Sequence, residues 1–327
     1  MERRCLIYDN TKRWLIDLYK TAKLYRYYNL FPIRDGGNGE SQMLVSMVDG
    51  RMQHGGLSDR LSGIISAFQY CQQNGVEFRL YFVYPFNLEL FLEPNEYDWR
   101  IGANELSYNV LHARPLYVSL FSHNLETQRH YADTRLKRLA RQSHLYSNMR
   151  YFKNSEFGYY FNKLFRKTQL LENEIARNLA LIGMDYISVT FRFQQLLGDF
   201  REAGFPTLHA GEERTNLIER SLTCIERLHD KTGGRILVTS DSSTFLQMAA
   251  KRFSYVYTVS GRVVHIDYVR TEDKVKQEVY LKSFVDFFML ANAKCIYLAA
   301  MEPLYNSYFP EMASWVYGKP FHVIRSF

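Results

Sequence analysis

Cysteine is sparse in this chain of 327 residues. Cys5, Cys71, Cys224 and Cys295 stand singly, without the close pairing that zinc sites and dithiol redox motifs require. They read as reduced thiols packed like small apolar residues, which points to a reducing, cytoplasmic compartment. No apolar run reaches the length that crosses a bilayer. The opening segment MERRCLIYDNTKRW carries charge but no continuous apolar stretch ending in small residues, so a secretory signal is not expected. Internal repeats, low-complexity tracts and heptads are also absent, which sets aside repeat arrays and coiled coils.

What is present is globular composition, 46% hydrophobic and 23% charged. At this length two domains are expected, 1–165 and 166–327, with a central cleft between them. The net charge of +7 is spread along the chain and serves either a solvated surface or an anionic partner. The densest basic stretch, HYADTRLKRLARQSH, would set Arg135, Lys137, Arg138 and Arg141 on overlapping faces of one helix, where membrane phosphate could bind. A nucleic-acid partner is not expected. Most of the 25 tyrosines and 23 phenylalanines must be core, leaving a few to stack on sugar rings.

The pattern along the chain alternates strand and helix. MLVSMV reads as a strand, Gly55 and Gly56 as a turn or an anion-accepting loop, LSGIISAFQYCQQNG as a helix and EFRLYFVY as the next strand, which together make a βαβ unit. Residues 84–150 show no regular pattern. EFGYYFNKLFRKTQLLENEIARNLA reads as one long helix over about 156–180. After residue 186 strands and helices alternate again, giving a second Rossmann-like lobe.

Several polar residues fall where such lobes bind ligands. Arg192 ends the strand YISVTFRF, where a guanidinium can hold phosphate through two parallel hydrogen bonds or lie along a strand edge. Asp199 and Glu202 follow in the next loop. Asp241, in LVTSDSSTF, stands where a helix cap or a ligand contact would be placed. Asp286 lies in the apolar helix SFVDFFMLANA and must have a partner: either Lys282, four residues earlier, or the N–H edge of a guanine base. Tyr305, Asn306 and Ser307 occupy the loop after CIYLAA.

With these residues in view the chain resembles the GT-B fucosyltransferase superfamily, which includes α-1,6-, α-1,2- and protein O-fucosyltransferases. The resemblance rests on GGLSDRLSGIISAFQYCQQNG, ISVTFRFQQLLGDF, ILVTSDSSTFLQMA and SFVDFFMLANAKCIYLAAMEPLYNSYFPEMASWVYGKPF, and spans roughly residues 45–325. Thr190 stands at the position of the motif histidine and Phe193 at that of its second arginine. The resemblance implies two Rossmann-like lobes and an inverting transfer of L-fucose from GDP-fucose to a glycan hydroxyl, without a metal ion or other cofactor. By position it implies Arg192 on the β-phosphate, Ser307 in the phosphate region, Asp286 on the guanine, and Gly55, Gly56 and Arg60 lining the cleft; Asp241 and Asn306 are expected in the same donor pocket. Asp199 is the expected base and Glu202 its reserve. No DxD-type motif occupies such a loop. A transferase using another nucleotide sugar and a nonenzymatic carbohydrate-binding protein on the same fold are the competing expectations, and peripheral association with the inner face of a bacterial membrane fits the charge.

Overall fold

A computed structural model describes residues 2–29, 42–119, 124–199, 206–263 and 273–326. The chain divides into two compact units, Met1–Leu88 with Pro94–Arg166, and Glu89–Glu93 with Lys167–Phe327.

In the first unit, helix α1 (Glu2–Leu24) precedes strand β1 (Met43–Val48), helix α2 (Leu57–Asn74) and strand β2 (Glu77–Phe82). Short strand β3 (Leu92–Pro94), which begins in the second unit's segment Glu89–Glu93, strand β4 (Ala113–Tyr117), helix α3 (Leu125–Leu136), strand β5 (Gln142–Tyr146), helix α4 (Asn154–Leu164) and short strand β6 (Phe165–Lys167), whose last residue belongs to the second unit, follow. The sheet runs β2-β1-β5-β4 with all pairings parallel. Strand β1 is buried along most of its length because strands lie on both sides of it and α2 crosses its face. Close approach of α2 depends on Gly63, where an added Cβ would lie 1.8 Å from the Ser147 carbonyl oxygen. The edge strand β4 is covered by α1: the Tyr117 N–H donates to Thr21 Oγ1 at 3.0 Å, and buried Asp17 accepts from the Ser119 N–H and hydroxyl and from the Tyr131 hydroxyl. Residues 84–150 thus hold three strands, β3, β4 and β5, and the helix α3. All three strands are short, and β5 (QSHLY) is only half apolar, so periodicity does not reveal them.

The long helix expected over 156–180 is two helices. α4 ends at Leu164, β6 pairs with β3, and the hydroxyl of Thr168 accepts the Leu171 N–H to cap helix α5 (Gln169–Ile182). A strand of three residues has no periodic signature, whereas the Thr cap was present to be read.

The second unit continues with strand β7 (Tyr186–Phe191), helix α6 (Glu212–Thr232), strand β8 (Arg235–Ser240), helix α7 (Ser243–Arg252), strand β9 (Val256–Tyr257), helix α8 (Asp273–Asn292), strand β10 (Ile296–Ala299), helix α9 (Tyr308–Val316) and strand β11 (Phe321–Ile324). Its parallel sheet is ordered β11-β10-β7-β8-β9. The chain builds outward from β7 through β8 to β9, then returns to place β10 on the other side of β7. Strand order therefore reverses between β7 and β10, and in such sheets ligands bind outside the carboxyl ends of the strands at that point. Beneath it, Val189, Phe191, Ile236 and Val238 pack with Leu217, Leu222, Ile225 and Phe245 of α6 and α7 in one apolar cluster.

Cys71 and Cys224 are buried, and burial raises both thiols, Cys224 to about 12. The side chain of Cys5 lies outside the described residues. Among the described residues no helix is long and apolar enough to cross a membrane. The basic stretch is not one helix, because α3 stops at Leu136; Lys137 is its cap, and Arg138 and Arg141 lie in the turn entering β5.

Candidate functional site

Arg192 follows the last residue of β7, and Asp241 follows the last residue of the adjacent β8. Their ion pair measures 3.2 Å from Nη1 to Oδ2. Asp241 does more than balance charge. Its two oxygens accept the N–H groups of Phe193 at 2.8 Å and Gln194 at 2.7 Å, the two residues that carry the chain away from Arg192. Gln194 takes a φ of 52°, the left-handed region that a non-glycine residue occupies only when its surroundings impose it. The carboxylate of Asp241 thus fixes both the turn and the guanidinium. Burial raises its pKa above the ordinary carboxylate range, opposed by Arg192 and the two N–H donors. The neighbouring α7 is capped by Ser242, whose hydroxyl accepts the Phe245 N–H, so Asp241 is not the cap.

The loop after β10 joins the same place. The Tyr305 N–H donates to the Arg192 carbonyl at 2.9 Å. Asn306 is exposed, and Ser307 caps α9 by accepting the Phe309 N–H at 3.3 Å. Structure therefore brings Arg192, Asp241, Asn306 and Ser307 to one end of one sheet.

Asp199 reaches the neighbouring helix start. Its Oδ2 accepts both the Ser242 hydroxyl at 2.9 Å and the Thr244 N–H at 2.8 Å, so this residue helps to cap α7. Glu202 lies outside the described residues. Thr190, at the motif histidine's position, shares a 2.7 Å hydrogen bond with the hydroxyl of Thr239, its partner across β7 and β8. Phe193, at the second arginine's position, is buried with its ring 4.9 Å from that of Phe245.

Two further expected site positions have partners inside the chain. Arg60 is 1% exposed, and its guanidinium donates to the carbonyls of Gly55 and Tyr84, both at 3.0 Å. It braces the glycine loop from inside. Gly55 supplies a φ of 69°, and the Gly56 N–H is occupied by Asp59 Oδ2 at 3.1 Å, so a carboxylate of this chain already stands where an anion was expected. Asp286 pairs with Lys282 at 2.7 Å within α8. Its other oxygen, which a guanine would need to reach, is buried without a hydrogen-bond partner.

One residue escaped sequence reasoning. Gln194 holds the turn beside Arg192 and leaves its own side-chain oxygen buried and unpartnered. Nothing in the run FRFQQLL marks the first glutamine as left-handed. Among the described residues no group of three His, Cys, Asp or Glu is arranged to hold a metal ion.

No protein-family model and no curated protein matches this sequence. Solved structures do match the fold. NodZ α-1,6-fucosyltransferase soaked with GDP-fucose aligns at a TM-score of 0.55 and 13% identity, covering 85% of this chain and 93% of that one, and a NodZ structure from Bradyrhizobium gives 0.54 at 14%. Arabidopsis thaliana FUT1 in complex with GDP aligns at 0.53 and 13% identity, over 94% of this chain and 75% of its own. POFUT1 in an apo form aligns at 0.50 and 8% identity, over 88% and 99%. These alignments run through both units: the chain has the α/β fold of the GT-B fucosyltransferases.

Proposed function

We propose that this protein is an inverting, metal-independent glycosyltransferase that moves L-fucose from GDP-fucose to a hydroxyl of a glycan acceptor. The observation that carries this reading is the Arg192–Asp241 pair at the strand-order reversal, on a fold whose solved neighbours include a fucosyltransferase soaked with GDP-fucose.

In this mechanism the acceptor oxygen forms a bond to the anomeric carbon on the face opposite GDP. The bond from that carbon to the β-phosphate oxygen breaks, and its electron pair leaves on the diphosphate. Arg192 stabilises that charge with two parallel N–H donors, in the role that a cation fills in other transferases. Asp199 takes the acceptor's proton on Oδ1, because Oδ2 is engaged by α7.

Thr190 and Phe193 favour a second reading, a protein that binds the nucleotide sugar without turning it over. Calorimetric titration with GDP, UDP and GDP-fucose, followed by assay of GDP release with and without EDTA, separates the two. GDP binding with EDTA-resistant turnover is the expected result. Binding without turnover establishes the second reading, and tighter binding of UDP points to another nucleotide sugar.

A further inference from the structure

The basic segment after α3 has no part in the reaction above, yet the fold gathers it around an arginine from elsewhere in the chain. We propose that Arg114, Arg135 and Arg138 form a binding site for a phosphate group, in the first unit at the amino ends of β4 and β5.

Arg114 is the second residue of the edge strand β4, opposite Ser143 of β5 in parallel register. Helix α3 carries the chain from β4 back to β5, so its last turn, with Arg135, and the following turn, with Arg138, return to the same end of the sheet. The charges of Arg135 and Arg138 act on Arg114 and, with burial, lower its pKa, while Tyr25 acts in the opposite direction. The Nε atoms of Arg114 and Arg135 are buried with no hydrogen-bond partner. Among the described residues no carboxylate forms an ion pair with any of the three.

A helix carboxyl end attracts cations, and this accounts for Arg135 and Lys137. It does not account for Arg114, which belongs to a strand, or for two buried donors left unmade. Like charges held together in this way are unfavourable until an anion joins them. Phosphate suits the set, since its three oxygens and up to two charges meet several guanidinium forks, whereas one carboxylate leaves part of the charge unanswered. Exposed Lys137 and Arg141 extend the positive field toward solvent. The phosphate could come from a lipid headgroup or from a soluble phosphate ester, and the two are separable.

The test uses full-length protein carrying Arg192→Gln, so that the proposed donor site does not report. One arm titrates inorganic phosphate by calorimetry; the other floats the protein with vesicles of phosphatidylcholine containing phosphatidylglycerol. The variants are Arg114→Leu, the pair Arg135→Gln with Arg138→Gln, and the control Arg220→Gln, which removes the charge of an exposed arginine on α6. Binding in at least one arm is expected, weakened at least about tenfold by either site variant and unchanged by the control. Arg114→Leu should also hold or raise the thermal midpoint, because it removes a repelled charge with an unmade bond. Vesicle binding alone assigns the site to lipid, and phosphate binding alone to a soluble ester. Absence of binding in both arms, or equal weakening by Arg220→Gln, overturns the proposal; the double variant decides the matter if Arg114→Leu fails to fold.

Discussion

Asp241 holds Arg192 at 3.2 Å and, with the same carboxylate, the two backbone N–H groups that follow it. One buried acid therefore sets where the guanidinium points and how the chain leaves the strand. This coupling separates two substitutions that look alike on paper. A change at Arg192 alters the charge presented to a ligand and leaves the turn intact, whereas a change at Asp241 alters both.

Arg192→Lys is expected to lower turnover with GDP-fucose by at least about tenfold, even though the charge is kept, because an ammonium cannot supply two parallel donors to a diphosphate. Its thermal midpoint should stay near that of the wild type, since Asp241 retains the N–H groups of Phe193 and Gln194. Steady-state kinetics and a melting curve on the same preparation provide the check. Near-normal turnover would remove Arg192 from the leaving-group site.

Acid should weaken the first unit through two buried histidines. Burial, then the charge of Arg60, pushes His54 down to about 3, and burial, then the charge of Arg51, pushes His144 down to about 4. The neutral ring suits its partners: Nδ1 lies 2.6 Å from the Tyr28 hydroxyl and Nε2 3.3 Å from Gln142 Oε1, so the tautomer protonated on Nε2 accepts from the first and donates to the second. The unfolded chain takes up protons near the ordinary value of 6.5 and the folded chain does not. Stability is therefore present above that value and is lost as pH falls toward the depressed values, by about 2 kcal/mol per histidine at about pH 5. Urea unfolding across this range checks it. A variant with both His54→Gln and His144→Gln should lose less on acidification, whatever its stability at neutral pH.

Gly63→Ala tests how tightly α2 is seated. A single methyl group would meet the Ser147 carbonyl oxygen at 1.8 Å, which is backbone and cannot move aside cheaply. A loss of about 3 kcal/mol or more is expected, seen as a lower denaturation midpoint or as insoluble protein. Gly75→Ala is the comparison: that glycine ends the same helix at a φ of 64° in open space, so the cost there is conformational only, about 1 kcal/mol.

The alternation of strands and helices after residue 186 was legible because buried parallel strands read as apolar runs and glycines close the helices. The placement of Arg192 and Asp241 at strand ends followed from the same pattern. What Asp241 holds did not, since its two N–H partners lie 47 and 48 residues away in sequence and are backbone groups of residues that look ordinary. Arg60 misled for a related reason. An arginine one helical turn after two glycines suits an anion-accepting loop, and only the fold shows that its Nε and Nη1 donate to the carbonyls of Gly55 and Tyr84. The β3–β6 pair was invisible because three residues carry no period, and its pairing joins segments far apart in the chain.

Asp286 separates a structural role from a recognition role. Lys282 and Asp286 are 5% and 13% exposed at their side chains, and they bond one turn apart in α8 at 2.7 Å. Burial raises the carboxyl's pKa, and Lys282 opposes the rise. Asp286→Asn removes the charge that answers a nearly buried ammonium, so a loss of about 3 kcal/mol is expected, while affinity for GDP and its preference over inosine diphosphate stay as in the wild type. Lys282→Met should cost a similar amount, because it leaves a buried carboxylate alone. The double variant, Lys282→Met with Asp286→Leu, should regain most of the loss, since replacing both ions with apolar groups removes two desolvation penalties together. Denaturation of the wild type, Lys282→Met, Asp286→Leu and their combination gives the coupling energy, and calorimetry of Asp286→Asn with the two nucleotides gives the selectivity. If Asp286→Asn lost the preference for GDP while unfolding normally, the carboxylate would be a base-reading group, and the pair with Lys282 would be the device that orients it.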